Sequence, residues 1–227
     1  MPSSVVPITF TLTYTAGANG TITGTTPQTV NHNADGTAVT AVPNTGCAFV
    51  NWSDSRTDNP RTDANVTTNL SVTANFALTP YGLWMQAIAD PALRDPLADA
   101  DGDGAPNLLE FAYGGDPITA TSHVTAKTAI QSGDSSQPFT LTIPVRTGAS
   151  FATTLAGPML ATVDGVTCRI EASSDLTTWA EPVAEVAPAL TTGLPAAPAG
   201  YTYHTFRLTG STAATPRAFI RFKALLP

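Results

Sequence analysis

Ile8-Thr9-Phe10-Thr11-Leu12-Thr13-Tyr14 alternates apolar and hydroxyl-bearing side chains with a period of two. In an extended chain that spacing puts Ile8, Phe10, Leu12 and Tyr14 on one face and the threonines on the other, so it predicts a strand buried on one side. Turn chemistry follows at Ala18-Asn19-Gly20, and further short strands are expected at 21–23, 37–42 and 70–76, separated by Asn, Asp, Gly and Pro clusters. The chain thus opens with a small β-rich domain, residues 1–79, in whose core Phe49 and Trp52 are expected.

The period then changes. Tyr81, Trp84, Met85 and Ile88 stand at i, i+3, i+4 and i+7, one apolar stripe of a helix over 80–89 that Pro91 should stop. A second short helix should carry Leu108, Leu109, Phe111 and Ala112, with Pro106 tolerated in its first turn and Gly114-Gly115 ending it. Residues 80–120 therefore read as helix, acidic loop, helix. From 121 to 227 the chain is β again, with strands expected at 139–145, 167–172, 201–208 and 218–225. The stretch 182–200, carrying Pro182, Pro188, Pro195 and Pro198, reads as a long loop, because proline cannot donate to a sheet ladder.

The loop between the helices carries the chemistry. Asp99-Ala100-Asp101-Gly102-Asp103-Gly104-Ala105-Pro106-Asn107-Leu108-Leu109-Glu110 fits D-x-D-x-D-G-x5-E without a gap. Calcium takes six to eight hard oxygen ligands, and positions 1, 3 and 5 of a tight turn bring three carboxylates inward, with Gly104 allowing the bend at position 6. Ala105 would contribute its backbone carbonyl, Asn107 a side-chain oxygen or a water, and Glu110 both carboxylate oxygens. Asp90, Asp95, Asp99, Asp101, Asp103, Glu110 and Asp116 crowd into 27 residues, and such carboxylates repel unless a cation joins them. A lone helix cap would need one carboxylate rather than four.

Composition narrows the rest. The net charge is −7 and the ten Lys and Arg do not cluster in sequence, which argues against nucleic acid. No apolar run is long enough to span a membrane. The three histidines, His32, His123 and His204, lie far apart, and no G-x-S-x-G, H-E-x-x-H, P-loop or G-x-G-x-x-G occurs, so no enzyme is expected and no catalytic residue assigned. Cys47 and Cys168 could pair with each other or stay as two buried thiols. Trp52 and Trp84 read as core, whereas Trp179 is the tryptophan to test as a sugar platform.

The run Gly36-Thr-Ala-Val-Thr-Ala-Val-Pro43-Asn-Thr-Gly46-Cys-Ala-Phe49-Val-Asn-Trp52-Ser-Asp54, closed by Val72-Thr-Ala-Asn-Phe76, resembles the divergent internalin-type B-repeat of bacterial surface proteins over about residues 9–78. The resemblance implies a compact β-grasp-like module; Cys47 departs from it, standing where the family usually has an aromatic residue. The acidic loop is similar to those of EF-hand, dockerin and thrombospondin type-3 calcium sites, which Gly115-Asp116-Pro117 often follows. Arg169-Ile-Glu-Ala-Ser-Ser-Asp-Leu-Thr-Thr-Trp179, with Ala218-Phe-Ile-Arg-Phe222, resembles a C-terminal antiparallel β-sandwich found after such loops in large surface proteins of Verrucomicrobia-like bacteria. The combination implies a mainly β, calcium-binding, non-catalytic protein, extracellular or on the cell surface. Its role would be structural or adhesive, as in a fibre or other assembly, through self-association or other surface proteins. The alternative is a carbohydrate-binding or accessory module of a larger secreted enzyme, with carbohydrate as the partner.

Overall fold

The computed structural model describes residues 6–122, 124–130, 139–153, 157–209 and 218–226; His123 lies outside them. The fold is mainly β, with 42% of residues in strands and 9% in helices. It divides into two compact units, 1–83 and 84–227, so the helix-loop-helix segment falls almost wholly within the second.

In the first unit, β1 (Thr9–Ala16), β2 (Gly20–Thr23), β3 (Gln28–Asn31), β4 (Thr40–Pro43), β5 (Cys47–Trp52) and β6 (Leu70–Leu78) form a four-stranded sheet of order β3-β1-β6-β5 and a β2-β4 ribbon. β1 and β6 run parallel at the centre, flanked by antiparallel β3 and β5, the strand order of a β-grasp sheet. The alternation read from β1 is realised by Leu12 and Tyr14, which are buried, while Phe10 is half-buried and Ile8, before the strand begins, is exposed. Trp52 is fully buried, and Phe49, half-buried, meets it edge-on at 5.7 Å between ring centroids. Burying these rings together supplies most of what so small a core can gain from water exclusion.

One feature of this core was not legible in the sequence: Arg61 is buried within it. Its guanidinium donates to both carboxylate oxygens of Asp54, at 2.7 and 2.8 Å, and to both of Asp63, at 2.8 and 2.9 Å. It also lies over the Trp52 ring, 5.3 Å from the centroid. The Tyr14 hydroxyl donates to Asp63 at 2.7 Å, so the end of the strand that defines the fold is tied into the same network.

The expected helix at 80–89 is shorter than its apolar stripe. α1 covers Pro80–Trp84 and a single 3-10 turn follows over Met85–Ala87, yet Tyr81, Met85 and Ile88 are buried as the spacing required. Past the acidic loop, α2 covers Asn107–Tyr113 and ends on Gly114 in the left-handed conformation, φ 86°, as a glycine after a helix allows.

The remaining strands are β7 (Lys127–Ile130), β8 (Phe139–Arg146), β9 (Ala152–Thr153), β10 (Met159–Val163), β11 (Val166–Ser173), β12 (Val183–Val186), β13 (Tyr201–Leu208) and β14 (Phe219–Leu225). They pair antiparallel in two four-stranded sheets, β14-β11-β10-β9 and β12-β13-β8-β7, a β-sandwich-type fold. The stretch 182–200, read as a loop, contains β12. Pro182 and Pro188 bracket that strand rather than interrupt it, and it lies at a sheet edge, where the cost of proline is least.

α2 is built into this unit. Phe111, Ala112 and Tyr113 are buried, the Tyr113 hydroxyl donates to the Lys223 carbonyl of β14 at 2.8 Å, and Tyr201 of β13 donates to the Phe111 carbonyl at 2.7 Å. The Arg146 guanidinium covers Phe111 at 4.2 Å. Cys47 and Cys168 are free thiols; Cys168 is fully buried, and burial pushes its thiol up to about 11.

Candidate metal centre

The acidic loop folds around its own first residue. Asp99 Oδ1 accepts from the backbone N–H of Gly102 at 2.8 Å and of Asp103 at 3.2 Å, and Oδ2 accepts from Gly104 at 2.8 Å. The Gly104 amide foremost holds the Asp99 carboxyl below the usual carboxylate range. Asp101 Oδ1 accepts from Asp103 N–H at 3.1 Å, and Asp103 Oδ1 from Ala105 N–H at 2.7 Å. Gly102 and Gly104 have φ of 81° and 94°, values a side chain would resist, so both glycines are needed for the coil. The result is that oxygens of Asp99, Asp101 and Asp103 lie within 4.8 Å of one another.

Asn107 and Glu110 come from the same face of α2, three residues apart. Asn107 is fully buried, and its amide nitrogen donates to the carbonyls of Leu93 and Asp95, both at 2.8 Å, which ties the incoming chain to the helix. With both amide hydrogens committed, its Oδ1 is left buried and without a donor.

Glu110 is the decisive residue. It is fully buried, and neither of its carboxylate oxygens has a hydrogen-bond partner. Burial first, then the charges of Asp101, Asp103, Asp99 and Asp116, raise its carboxyl to about 8. Asp101 Oδ2 is likewise buried without a partner. A protein does not ordinarily leave several buried oxygens unsatisfied, since each forfeits its hydration for nothing. The three aspartates are gathered within 4.8 Å and Glu110 is not among that group; a hard divalent cation is the kind of partner such oxygens take, and a donor set of carboxylates, an amide oxygen and a carbonyl at Ala105 would suit calcium.

Of the residues expected from the sequence, Asp99, Asp101 and Asp103 are brought together, while Asn107 and Glu110 are buried on α2; two supporting features were harder to see. The clamp of Asn107 on Leu93 and Asp95 depends on where the chain enters the loop. Gly115 approaches so closely that a Cβ there would lie 2.8 Å from Glu110 Cβ, Cγ and Oε1; the sequence marks it only as a helix terminator. Beyond this centre, Trp179 is half-buried with the Arg221 guanidinium 3.5 Å from its ring centroid, and its indole N–H donates to Leu176 at 3.2 Å. His32 lies in the first unit and His204 in the second.

Residues 10–80 match the family model of the divergent InlB B-repeat domain, covering almost all of the first unit. That family is typical of bacterial surface proteins, where its domains are structural modules rather than enzymes. No curated protein and no solved structure gives a match. No helix among the described residues is long and apolar enough to cross a membrane.

Proposed function

We propose that the protein is a non-catalytic, calcium-stabilised module of the bacterial cell surface, with a structural or adhesive role. Calcium would be held by Asp99, Asp101, Asp103, the Ala105 carbonyl and Glu110, with Asn107 supplying its amide oxygen directly or through a water. The observation that carries this reading is the Glu110 carboxylate, buried with both oxygens unbonded, its carboxyl raised by burial and by neighbouring acidic groups. α2 bears Glu110 and is anchored to β13 and β14 through Phe111 and Tyr113, so an ion there would brace a helix that belongs to the sandwich core. The B-repeat match of the first unit supports the surface setting.

The test is thermal unfolding with millimolar calcium, with magnesium, and with a chelator. Sites of this extracellular kind have dissociation constants near 0.1–1 mM, so calcium should stabilise by roughly 1–3 kcal/mol. Magnesium, which demands a tighter octahedron, should do much less. An unfolding temperature indifferent to calcium and chelator would overturn the proposal.

A further inference from the structure

We infer that the outward face of β11 and β14 binds an acidic polysaccharide. β11 turns Cys168, Ile170 and Ala172 into the core, so Arg169 and Glu171 point the other way. The register places Lys223 beside Arg169 and Arg221 beside Glu171 on the neighbouring strand. Glu171 is thereby surrounded: one oxygen pairs with Arg169 at 2.5 Å, the other with Arg221 at 2.6 Å and Lys223 at 3.3 Å. Its side chain is 3% exposed, whereas those of the three cations are 36–43% exposed.

Three cations against one carboxylate leave an excess of two positive charges on this face, in a chain whose net charge is −7. Among the described residues no other carboxylate is paired with them. One carboxylate has two acceptor oxygens, while two guanidiniums and an ammonium carry far more N–H groups than it can satisfy, so donors remain for an anion arriving from solvent. The buried glutamate holds the cations in place without neutralising them.

Trp179 decides which anion. Its ring is half-buried, one face lies under the Arg221 guanidinium at 3.5 Å, and it is tethered by the bond to the Leu176 carbonyl, so the part of the indole left exposed is fixed beside the cations. A sugar ring packs its C–H face on an aromatic plane while its carboxylate or sulfate meets the guanidinium fork. A bare phosphate or simple anion would use the cations alone. This inference concerns a face separate from the calcium loop and does not depend on calcium binding.

The experiment is glycan binding by calorimetry at fixed millimolar calcium, using hyaluronan for carboxylate alone, dextran sulfate for sulfate alone, neutral dextran, and duplex DNA. Binding to hyaluronan or dextran sulfate, with neutral dextran silent, is expected, and whichever is tighter names the anionic group. Lys223→Gln should weaken binding roughly two- to fivefold, a difference that disappears in ~0.5 M salt. Trp179→Ala should weaken it roughly three- to tenfold in low and high salt alike. Folding of both variants is checked by their unfolding temperatures, and Trp179→Phe, which keeps a ring, should recover part of the loss. Failure to bind either acidic glycan would overturn the inference. So would DNA binding as tight as the glycans, or Trp179→Ala leaving affinity unchanged, since either would mean unspecific attraction of polyanions.

Discussion

Arg61 and Glu110 are both ionisable, both removed from water, and solve the problem in opposite ways. In the first unit Arg61 is met by four carboxylate oxygens from Asp54 and Asp63, and its planar guanidinium lies over the Trp52 ring. Burial alone would lower its affinity for the proton, yet the bonds to Asp63 and Asp54 raise it above the ordinary arginine value. In the second unit Glu110 has no hydrogen-bond donor among the described residues, and burial together with neighbouring carboxylates raises its carboxyl. Glu171, in the same unit, shows that this sandwich can supply cations to a buried carboxylate, for Arg169, Arg221 and Lys223 surround it. One buried group is completed by the chain, and the other is the place where the proposed ion would act.

The largest effect should come from breaking the self-sufficient site. Arg61→Ala leaves Asp54 and Asp63 without their shared partner and removes packing from Trp52, at a cost of about 3–5 kcal/mol. Denaturant unfolding followed by hydrogen exchange should show the loss confined to the first unit, equally with calcium or chelator. A calcium-dependent loss would mean that the two sites are not independent.

Next in size is the response of the second unit to Glu110→Gln. With chelator at pH 8 the variant should be more stable than the parent, by roughly 2 kcal/mol, because an amide suffers no charge penalty in that site. With calcium the order should reverse, since the variant has lost a bidentate ligand. A variant that is weaker in both conditions would argue that Glu110 is satisfied in some other way.

The pH dependence sharpens the same contrast. Glu110 is raised from the usual carboxylate range to about 8, so the ion-free protein gains stability from its protonated form at low pH. That contribution is complete below ~4.5 and is lost as pH rises toward 8, at up to about 1.4 kcal/mol per pH unit. Calcium competes with this proton, so its stabilising effect should grow over the same interval. Unfolding curves at pH 5, 6.5 and 8, with calcium and with chelator, should diverge as pH rises; parallel curves would contradict the assignment.

The smallest effect is expected at Arg56, which pairs with Asp58 and Asp63 but has a side chain 39% exposed. Arg56→Ala should cost under ~1 kcal/mol and lose most of that in high salt. A cost near that of Arg61→Ala would show that the network, rather than burial, sets the energy.

Much of this was readable from local pattern. The period-two run at 8–14 announced β1, four alternating or apolar runs announced β8, β11, β13 and β14, and the twelve-residue spacing from Asp99 to Glu110 named the oxygens now found gathered or buried without partners. Local pattern also has limits that show in particular residues. β3 and β12 are four residues long and gain their partners from β1 and β13, so too few alternations mark them in isolation. The stripe at 80–89 marked Tyr81, Met85 and Ile88, which are buried, but Trp84 is only half-buried and α1 ends after five residues.

By itself, then, the sequence determined the elements whose signal repeats along the chain, together with the acidic loop whose three aspartates the fold gathers. Tertiary structure alone decided which charges lie inside and what faces them. Arg61 meets Asp54 across a turn, Glu171 meets Arg221 across fifty residues, and Glu110 lies buried with Asp101 and Asp103 foremost among the charges acting on it. Those outcomes depend on which strands pair and which faces are covered, and a side chain's neighbours in space are not encoded in its neighbours in sequence.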